Sequence, residues 1–267
     1  MSFEPKSEDE RPGRFVYSDG LVKELFANPV RGLDVLSEST GKYLESTRNV
    51  LERVPTGLKA STRKYSGNWY HQGAENTCSC WAIAQGCHIK GIKLPYQIMV
   101  DLLNTSVDIG GAVGNEGLSY GNANKIVQKD LNAGFQIVRC DQSLERAIHP
   151  LAESERIFNF KLLPDLPVGG AEDDKNNFRK VIVSNSMIIK QIIDEHRIIL
   201  TGVTTKQYDP NSGSNALHAV CISGYNIRKT GEMDVQVIDP ARGILWMSLE
   251  HLSKALIGYD TYTLEKT

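Results

Sequence analysis

One cysteine in this chain occupies a position that could make it a nucleophile. In the stretch ENTCSCWAIA, at residues 75–84, Cys80 lies within the first turn of a predicted helix. The free N–H groups and the dipole of a helix N-terminus favour a thiolate. Cys87 lies about 10 Å further along the axis and gains little from the dipole. We therefore predict that Cys80 is a nucleophile.

A thiol nucleophile also needs a base and a group that orients the base. His218 precedes the apolar run AVCISGY, and Asp239 ends the strand-like VQVID before Pro240, which stops a strand ladder. A hairpin with its loop at 228–232 would pair these two strands and bring His218 close to Asp239. The pattern predicts a Cys80–His218–Asp239 triad.

These motifs resemble those of the papain-like cysteine peptidases over residues 70–267. QGAENTCSCWAIA is similar to the signature in which a Gln precedes Cys-Trp-Ala at the start of the central helix. LHAVCISGYN is similar to the His strand of that superfamily. VIDPARG is closer to its bacterial branches: bacteriocin-leader peptidase domains, staphopain-like enzymes and plant-pathogen effector peptidases.

The resemblance implies a role for each matched residue. Cys80 corresponds to the nucleophile, His218 to the base, Asp239 to the orienting residue and Gln72 to the oxyanion-hole glutamine. Family members place that glutamine six residues before the cysteine, whereas Gln72 precedes Cys80 by eight. Asn76 or the backbone is therefore an alternative oxyanion donor.

The residues around Cys80 are interpreted less specifically. Trp81 matches a packing residue of the family, and Cys78 is interpreted as incidental or as a redox partner that protects an oxidised Cys80. Cys78, Cys80, Cys87 and His88 lack the Cys-x2–4-Cys spacing of structural zinc sites. We expect neither a metal nor an organic cofactor.

The order of predicted elements indicates an α+β chain. A helical region at about 70–150 precedes a strand-rich region at about 178–267, and the resemblance implies that these are the two lobes of a papain-like catalytic domain spanning 66–267. An acidic linker is predicted at 163–177 and a short helix at 186–196.

Residues 1–65 are predicted to form an N-terminal extension. Residues 1–14 are polar and are predicted to be disordered, whereas apolar residues in 33–54 recur with helical spacing. This amphipathic helix either packs on the catalytic domain or is a prosegment that covers the cleft. In the second case we expect cleavage in the loop near Lys59 to Lys64.

Composition limits the classes of partner and compartment. The chain has 267 residues, 40% of them hydrophobic, and a formal net charge of -2. These values predict a globular protein and offer no argument for nucleic-acid binding. No apolar run is long enough for a membrane span, and the N-terminus is not a standard secretory signal. We expect a cytoplasmic protein, or one secreted by a route without that signal.

The sequence as a whole predicts a cysteine peptidase that acts on a protein or peptide. The same triad also serves transglutaminase-like acyl transfer or deamidation, which is the first alternative. A catalytically inactive papain-fold binding module is the second. A bacterial effector or toxin would be a biological role for the same chemistry.

Overall fold

The computed structural model describes residues 16–29, 58–73, 76–113, 117–130, 132–148, 171–209, 212, 216–257 and 261–267. The start that we predicted to be disordered, residues 1–14, and the amphipathic helix predicted at 33–54 lie outside these residues. Among the helices of the described segments, none combines the length and the apolar character needed to cross a membrane.

The described residues form helices and strands in mixed order. The helices are α1 Asp19–Ala27, α2 Cys78–Lys90, α3 Tyr96–Val113, α4 Tyr120–Val127, α5 Ala171–His196, α6 Thr205–Tyr208 and α7 Leu249–Ala255. The strands are β1 Ser61–Arg63, β2 Phe135–Arg139, β3 Ile199–Thr204, β4 Leu217–Ile227, β5 Met233–Asp239, β6 Gly243–Ser248 and β7 Tyr262–Lys266.

The strands form one antiparallel sheet in the order β2-β7-β3-β4-β5-β6, with β1 added to β4. β4 is its longest strand and pairs with β3, β5 and β1. β4 and β5 form a hairpin whose loop is closed by the Arg228 N–H, which donates to the Glu232 carbonyl at 2.9 Å. The predicted hairpin is therefore confirmed, and with it the α+β class.

Each face of the sheet covers its own hydrophobic core. Side chains of α1 to α4 pack on one face, against Leu200, Ala219, Cys221 and Leu264. Side chains of α5 and α7 pack on the other, against Ile199, Val220, Ile222 and Val237. Neighbouring residues of β3 and β4 contribute to opposite cores because successive strand residues point to opposite faces. The sheet is thus a shared central layer.

Helix α2 is buried on nearly all sides. Every residue from 79 to 87 is buried, and all of these residues except Gln85 are apolar or small. Thr77 is its N-cap. At the other end, Gly91 adopts a left-handed conformation with φ 61° and donates to the carbonyls of Cys87 and His88. Asn76, Thr77 or Ser79 could cap the start by residue type and Gly91 could end the helix, and the structure confirms Thr77 and Gly91.

Two helices are longer than the sequence patterns predicted. Helix α3 continues to Val113, into the stretch GGAVGNEGLSYGN, whose glycines predict a loop. Helix α5 begins at Ala171, inside the expected linker, and is 26 residues long. The sequence AEDD at its start is acidic, and negative charge is favourable at a helix N-terminus. Those acidic residues begin a helix instead of forming a solvated connection.

Helix α1 was not predicted. Ser18 caps it by accepting a hydrogen bond from the Leu21 N–H at 3.2 Å. Val22 is fully buried, and the Phe26 ring lies 5.0 Å from the Tyr70 ring and 5.9 Å from the Trp81 ring, between centroids. These contacts attach the helix to the same core as α2.

The close approach of α2 to the sheet yields a stability prediction. A Cβ on Gly86 would lie 2.7 Å from Ile198 Cδ1 and 2.9 Å from Leu264 Cδ1. We expect Gly86→Val to lower the free energy of unfolding by about 1–3 kcal/mol through overpacking. The measurement is urea denaturation. Gly20→Val is the matched control, because its Cβ would have only Ser18 Oγ nearby, at 3.9 Å. Equal effects of both substitutions would contradict the close contact.

Candidate active site

The N-terminus of α2 meets the beginning of β4, and this contact involves Cys78. Cys78 is the first residue of α2, and its Sγ accepts a hydrogen bond from the Ala219 N–H at 3.3 Å. Ala219 directly follows His218 in β4. The His218 side chain lies beside the Cys78 thiol and lowers the pKa of that thiol, as does the Ser79 N–H. The thiol therefore lies among donors that can stabilise a thiolate.

His218 is held from its other side by Asp239. His218 Nε2 lies 2.8 Å from Asp239 Oδ1, which also accepts from the Ala241 N–H at 2.8 Å. The Asp239 side chain is fully buried, and the His218 side chain is 12% exposed. Because Nε2 faces Asp239, Nδ1 is the ring nitrogen that remains for Cys78. The structure thus brings Cys78, His218 and Asp239 together in a line.

The pKa values of these three groups shift toward the charged forms. Burial opposes each charge, but the hydrogen bonds outweigh burial. The hydrogen bond and charge of His218 lower the pKa of Cys78. Hydrogen bonds to Asp239 and Cys78 raise the pKa of His218 to about 10. The hydrogen bond and charge of His218 keep the pKa of Asp239 below its usual value. The arrangement favours a thiolate–imidazolium pair next to a carboxylate.

Cys80 does not occupy the position that we predicted for it. Its side chain is fully buried, and its Sγ donates to the Leu102 carbonyl of α3 at 3.4 Å. Burial, together with the neighbouring Cys78, raises the pKa of Cys80 to about 12. Residues two apart on a helix point about 200° away from each other, so only one of the two thiols can face β4. That thiol belongs to Cys78, which we had interpreted as incidental.

Gln72 lies next to the turn that follows Asp239. Its backbone N–H donates to the Pro240 carbonyl at 2.8 Å, and its side-chain Oε1 is buried. The neighbouring Trp69 packs on Gly243, whose φ of 104° requires a glycine. Gln72 precedes Cys78 by six residues, the interval found in the family that the sequence resembles. That interval was the signal in the sequence that pointed to Cys78 instead of Cys80.

The backbone just before α2 is also anchored. The Asn76 carbonyl accepts from Ser106 Oγ at 2.7 Å, and the Asn76 side chain is exposed. Ser106 Oγ accepts from the Leu118 N–H at 3.4 Å. The approach of the chain to Cys78 is thereby linked to α3 and to the segment before α4.

The remaining thiols have environments unlike that of Cys78. Each of the five cysteines, all of which are described, is a free thiol. Burial raises the pKa values of Cys87 and Cys221, and it raises the pKa of Cys140 to about 11. Across the described segments, no group of three or more His, Cys, Asp or Glu side chains is arranged to bind a metal ion.

Two comparisons with known proteins identify no relative of this chain. No family model matches the chain, and a search of curated proteins finds no match. The functional argument therefore rests on the geometry and charges of the site.

The arrangement predicts different reactivity for the two neighbouring cysteines. We expect iodoacetamide to label Cys78 at least about tenfold faster at pH 7 than a free thiol of pKa about 8.5. Cys80 should label only after unfolding. Peptide mass spectrometry across pH measures both rates in one sample. His218→Ala should return Cys78 to ordinary reactivity, whereas fast labelling that survives in this variant would contradict the thiolate–imidazolium pair.

Proposed function

We propose that this protein is a cysteine peptidase in which Cys78 is the nucleophile, His218 the acid–base group and Asp239 the orienting carboxylate. One observation carries the proposal: the Cys78 thiol lies at a helix N-terminus beside His218, whose Nε2 is held 2.8 Å from the buried Asp239. Nucleophile, base and orienting group in hydrogen-bond contact are the signature of covalent acyl-transfer chemistry.

The proposed reaction begins from the charged pair. The Cys78 thiolate attacks a peptide carbonyl and forms a tetrahedral oxyanion. His218 then transfers its proton to the leaving amine, which leaves a thioester on Cys78. His218 next takes a proton from a water molecule, and attack of this water on the thioester releases the acid and restores the Cys78 thiolate beside a protonated His218. Asp239 stabilises the imidazolium at each stage.

The oxyanion has two proposed donors. Backbone N–H groups in the first turn of a helix have no intrahelical acceptor, so the Cys78 N–H is available at the point where charge develops. Gln72 is the second donor in the proposal, because its backbone is fixed to Pro240, beside the triad, and its interval to Cys78 matches the resemblance. Its side-chain amide would add a second hydrogen bond to the oxyanion.

The sequence matches the papain-like pattern better when Cys78, and not Cys80, is taken as the nucleophile. The glutamine, cysteine, histidine and aspartate then occur in the expected order and on the expected elements, with the expected first interval. We propose a papain-like relationship on this basis, with a protein or peptide as substrate. Cys80 then has a packing role, as part of the core that also contains Trp81 and Leu102.

Strand β1, which precedes α2 in the chain, is relevant to whether the N-terminal extension is removed as a prosegment. Thr62 of β1 pairs with Asn226 of β4, and Thr62 Oγ1 donates to Asn226 Oδ1 at 2.7 Å. The segment proposed for cleavage, near Lys59 to Lys64, therefore includes a strand of the central sheet. Cleavage would need this strand to open first. This favours a permanently attached extension over a removed prosegment.

Hydrolysis of peptide bonds tests the proposal directly. We expect the wild type to cleave an unfolded protein substrate such as reduced casein, read by mass spectrometry. Cys78→Ala should reduce the rate by at least about 10³-fold. Cys80→Ala is the matched control, because it removes a thiol two residues away that does not contact His218, and it should retain activity of the same order.

The same assay separates the alternatives. Cross-linked or deamidated products that depend on Cys78 would indicate acyl transfer or deamidation instead of hydrolysis. A folded protein whose Cys78 labels slowly and yields no product would favour the binding module. Equal loss of activity in both cysteine variants, with both folded, would contradict the assignment of Cys78.

The pKa shifts predict a bell-shaped dependence of the rate on pH. The rate should rise with pH as Cys78 ionises, at a pH below the usual pKa of a cysteine thiol, and fall near pH 10 as His218 loses its proton. Asp239→Asn should move the alkaline limb to lower pH, because the carboxylate raises the pKa of His218. An unmoved alkaline limb in that variant would contradict the role of Asp239.

Gln72 can be tested separately. We expect Gln72→Ala to lower kcat by about 10²-fold or more, with a smaller effect on KM, because the lost donor acts mainly in the transition state. Gln97→Ala is the control: Gln97 is exposed on α3 and donates to Asp101 at 2.9 Å. An effect of Gln72→Ala confined to KM would contradict the oxyanion role.

A further inference from the structure

Tyr208 lies behind the His218–Asp239 pair and takes no part in the steps described above. It is the last residue of the short helix α6, and its ring centroid is 6.3 Å from that of His218. Its side chain is 4% exposed. Its hydroxyl oxygen is buried next to the Asp239 carboxylate and makes no hydrogen bond of standard geometry among the described residues.

One carboxylate oxygen of Asp239 also lacks a hydrogen bond of standard geometry among the described residues. Oδ1 accepts from His218 and Ala241, whereas the buried Oδ2 has no hydrogen bond of standard geometry among the described residues. Arg242 lies near Oδ2, with its Nε 3.9 Å away. A buried polar atom without a hydrogen bond is costly, and here a potential donor and a potential acceptor lie side by side.

Tyr208 is held in place by two neighbouring side chains. His251 of α7 points Nε2 at the Tyr208 carbonyl, 2.8 Å away. The Arg242 guanidinium covers the Tyr208 ring, with Cζ 5.6 Å from the centroid, and is itself paired with Asp209. Burial, followed by the charge of Asp239, raises the pKa of Tyr208 well above its usual value. The hydroxyl therefore keeps its proton and remains a donor.

We propose that Tyr208 is a positioning residue for the triad, whose hydroxyl donates to Asp239 Oδ2 and so keeps Oδ1 directed at His218 Nε2. The catalytic meaning of this inference rests on the proposed peptidase function. The Tyr208–Asp239 hydrogen bond does not depend on that function, because it concerns only the ionisation and orientation of a buried carboxylate.

The hydroxyl should stabilise the charged form of Asp239. The charged or titratable groups that face this carboxylate are His218 from β4, Tyr208 from α6 and Arg242 from the turn after β5. Asp209 lies beyond Arg242, and His251 contacts Tyr208 only at its backbone. Removing a hydrogen-bond donor from a carboxylate raises its pKa. Loss of the hydroxyl should therefore let Asp239 take up a proton at a higher pH than in the wild type.

Tyr208→Phe tests this because it removes only the hydroxyl and keeps the ring. With ¹³C-labelled aspartate carboxyls, and Asp239→Asn to assign the signal, we expect the pKa of Asp239 to rise by about one unit in Tyr208→Phe. The acid limb of Cys78 labelling should move to higher pH in the same variant. The alkaline limb should move less, because Asp239 is ionised there in both proteins.

Tyr225→Phe is the matched control. The buried Tyr225 donates its hydroxyl to Asp194 Oδ1 at 2.8 Å, so this variant also loses a tyrosine–carboxylate hydrogen bond, but away from the triad. It should leave the titration of Asp239 unchanged. An Asp239 titration in Tyr208→Phe equal to that of the wild type would overturn the inference. Slow labelling of Cys78 in the wild type would instead overturn the proposed function, while the carboxyl titration would still decide the role of Tyr208.

Discussion

The contact between the first turn of α2 and the start of β4 is the interaction on which the site depends. Cys78 Sγ meets the Ala219 N–H there, at 3.3 Å. A helix can approach a sheet this closely only where its facing side chains are small, and Gly86 provides such a position further along α2. The packing of α2 against the sheet therefore places the thiol at His218. A change that shifted α2 would move Cys78 away from His218 and Asp239.

The buried charge of Asp239 imposes the second constraint. A carboxylate with no exposed surface is stable only when hydrogen bonds and opposite charges replace its water. His218 and the Ala241 N–H meet this need at Oδ1, and Arg242 lies nearby on the other side. Because the carboxylate stays ionised, it favours the imidazolium, and the imidazolium in turn favours the thiolate. The three pKa shifts therefore depend on one another.

The central sheet connects these two constraints. β4 carries His218 and pairs with β5, which carries Asp239. His218 itself pairs with Val203 of β3, and Asp239 pairs with Gly243 of β6, so both residues are held within the ladder of the sheet. The face of β4 that includes Ala219 and Cys221 packs on α2. The opposite face, with Val220 and Ile222, packs on α5 and α7. The site lies where a strand covered on both faces reaches its exposed end, which allows rigid support and access together.

Some of this arrangement follows from local patterns in the sequence. Alternation and turn residues predicted the β4–β5 hairpin, and with it the proximity of His218 to Asp239, because hairpin pairing is a short-range event along the chain. The start and end of α2 were also predictable, from the capping residues before it and from Gly91 after it. Helix α1 and the early start of α5 were not, since short or polar helices gain most of their stability from tertiary packing.

The six-residue interval from Gln72 favoured Cys78 over Cys80, but only the tertiary structure decided between the two thiols. Both residues lie in the same first turn, so helix propensity, dipole and composition treat them almost alike. What separates them is the rotation of α2 about its axis, which the packing of α1, α3 and the sheet around it sets. That rotation directs Cys80 to Leu102 and Cys78 to His218. The sequence by itself determined the residue types, their order and the hairpin that joins two of them; the tertiary structure decided which thiol meets the histidine, because helix orientation depends on contacts made far apart in the chain.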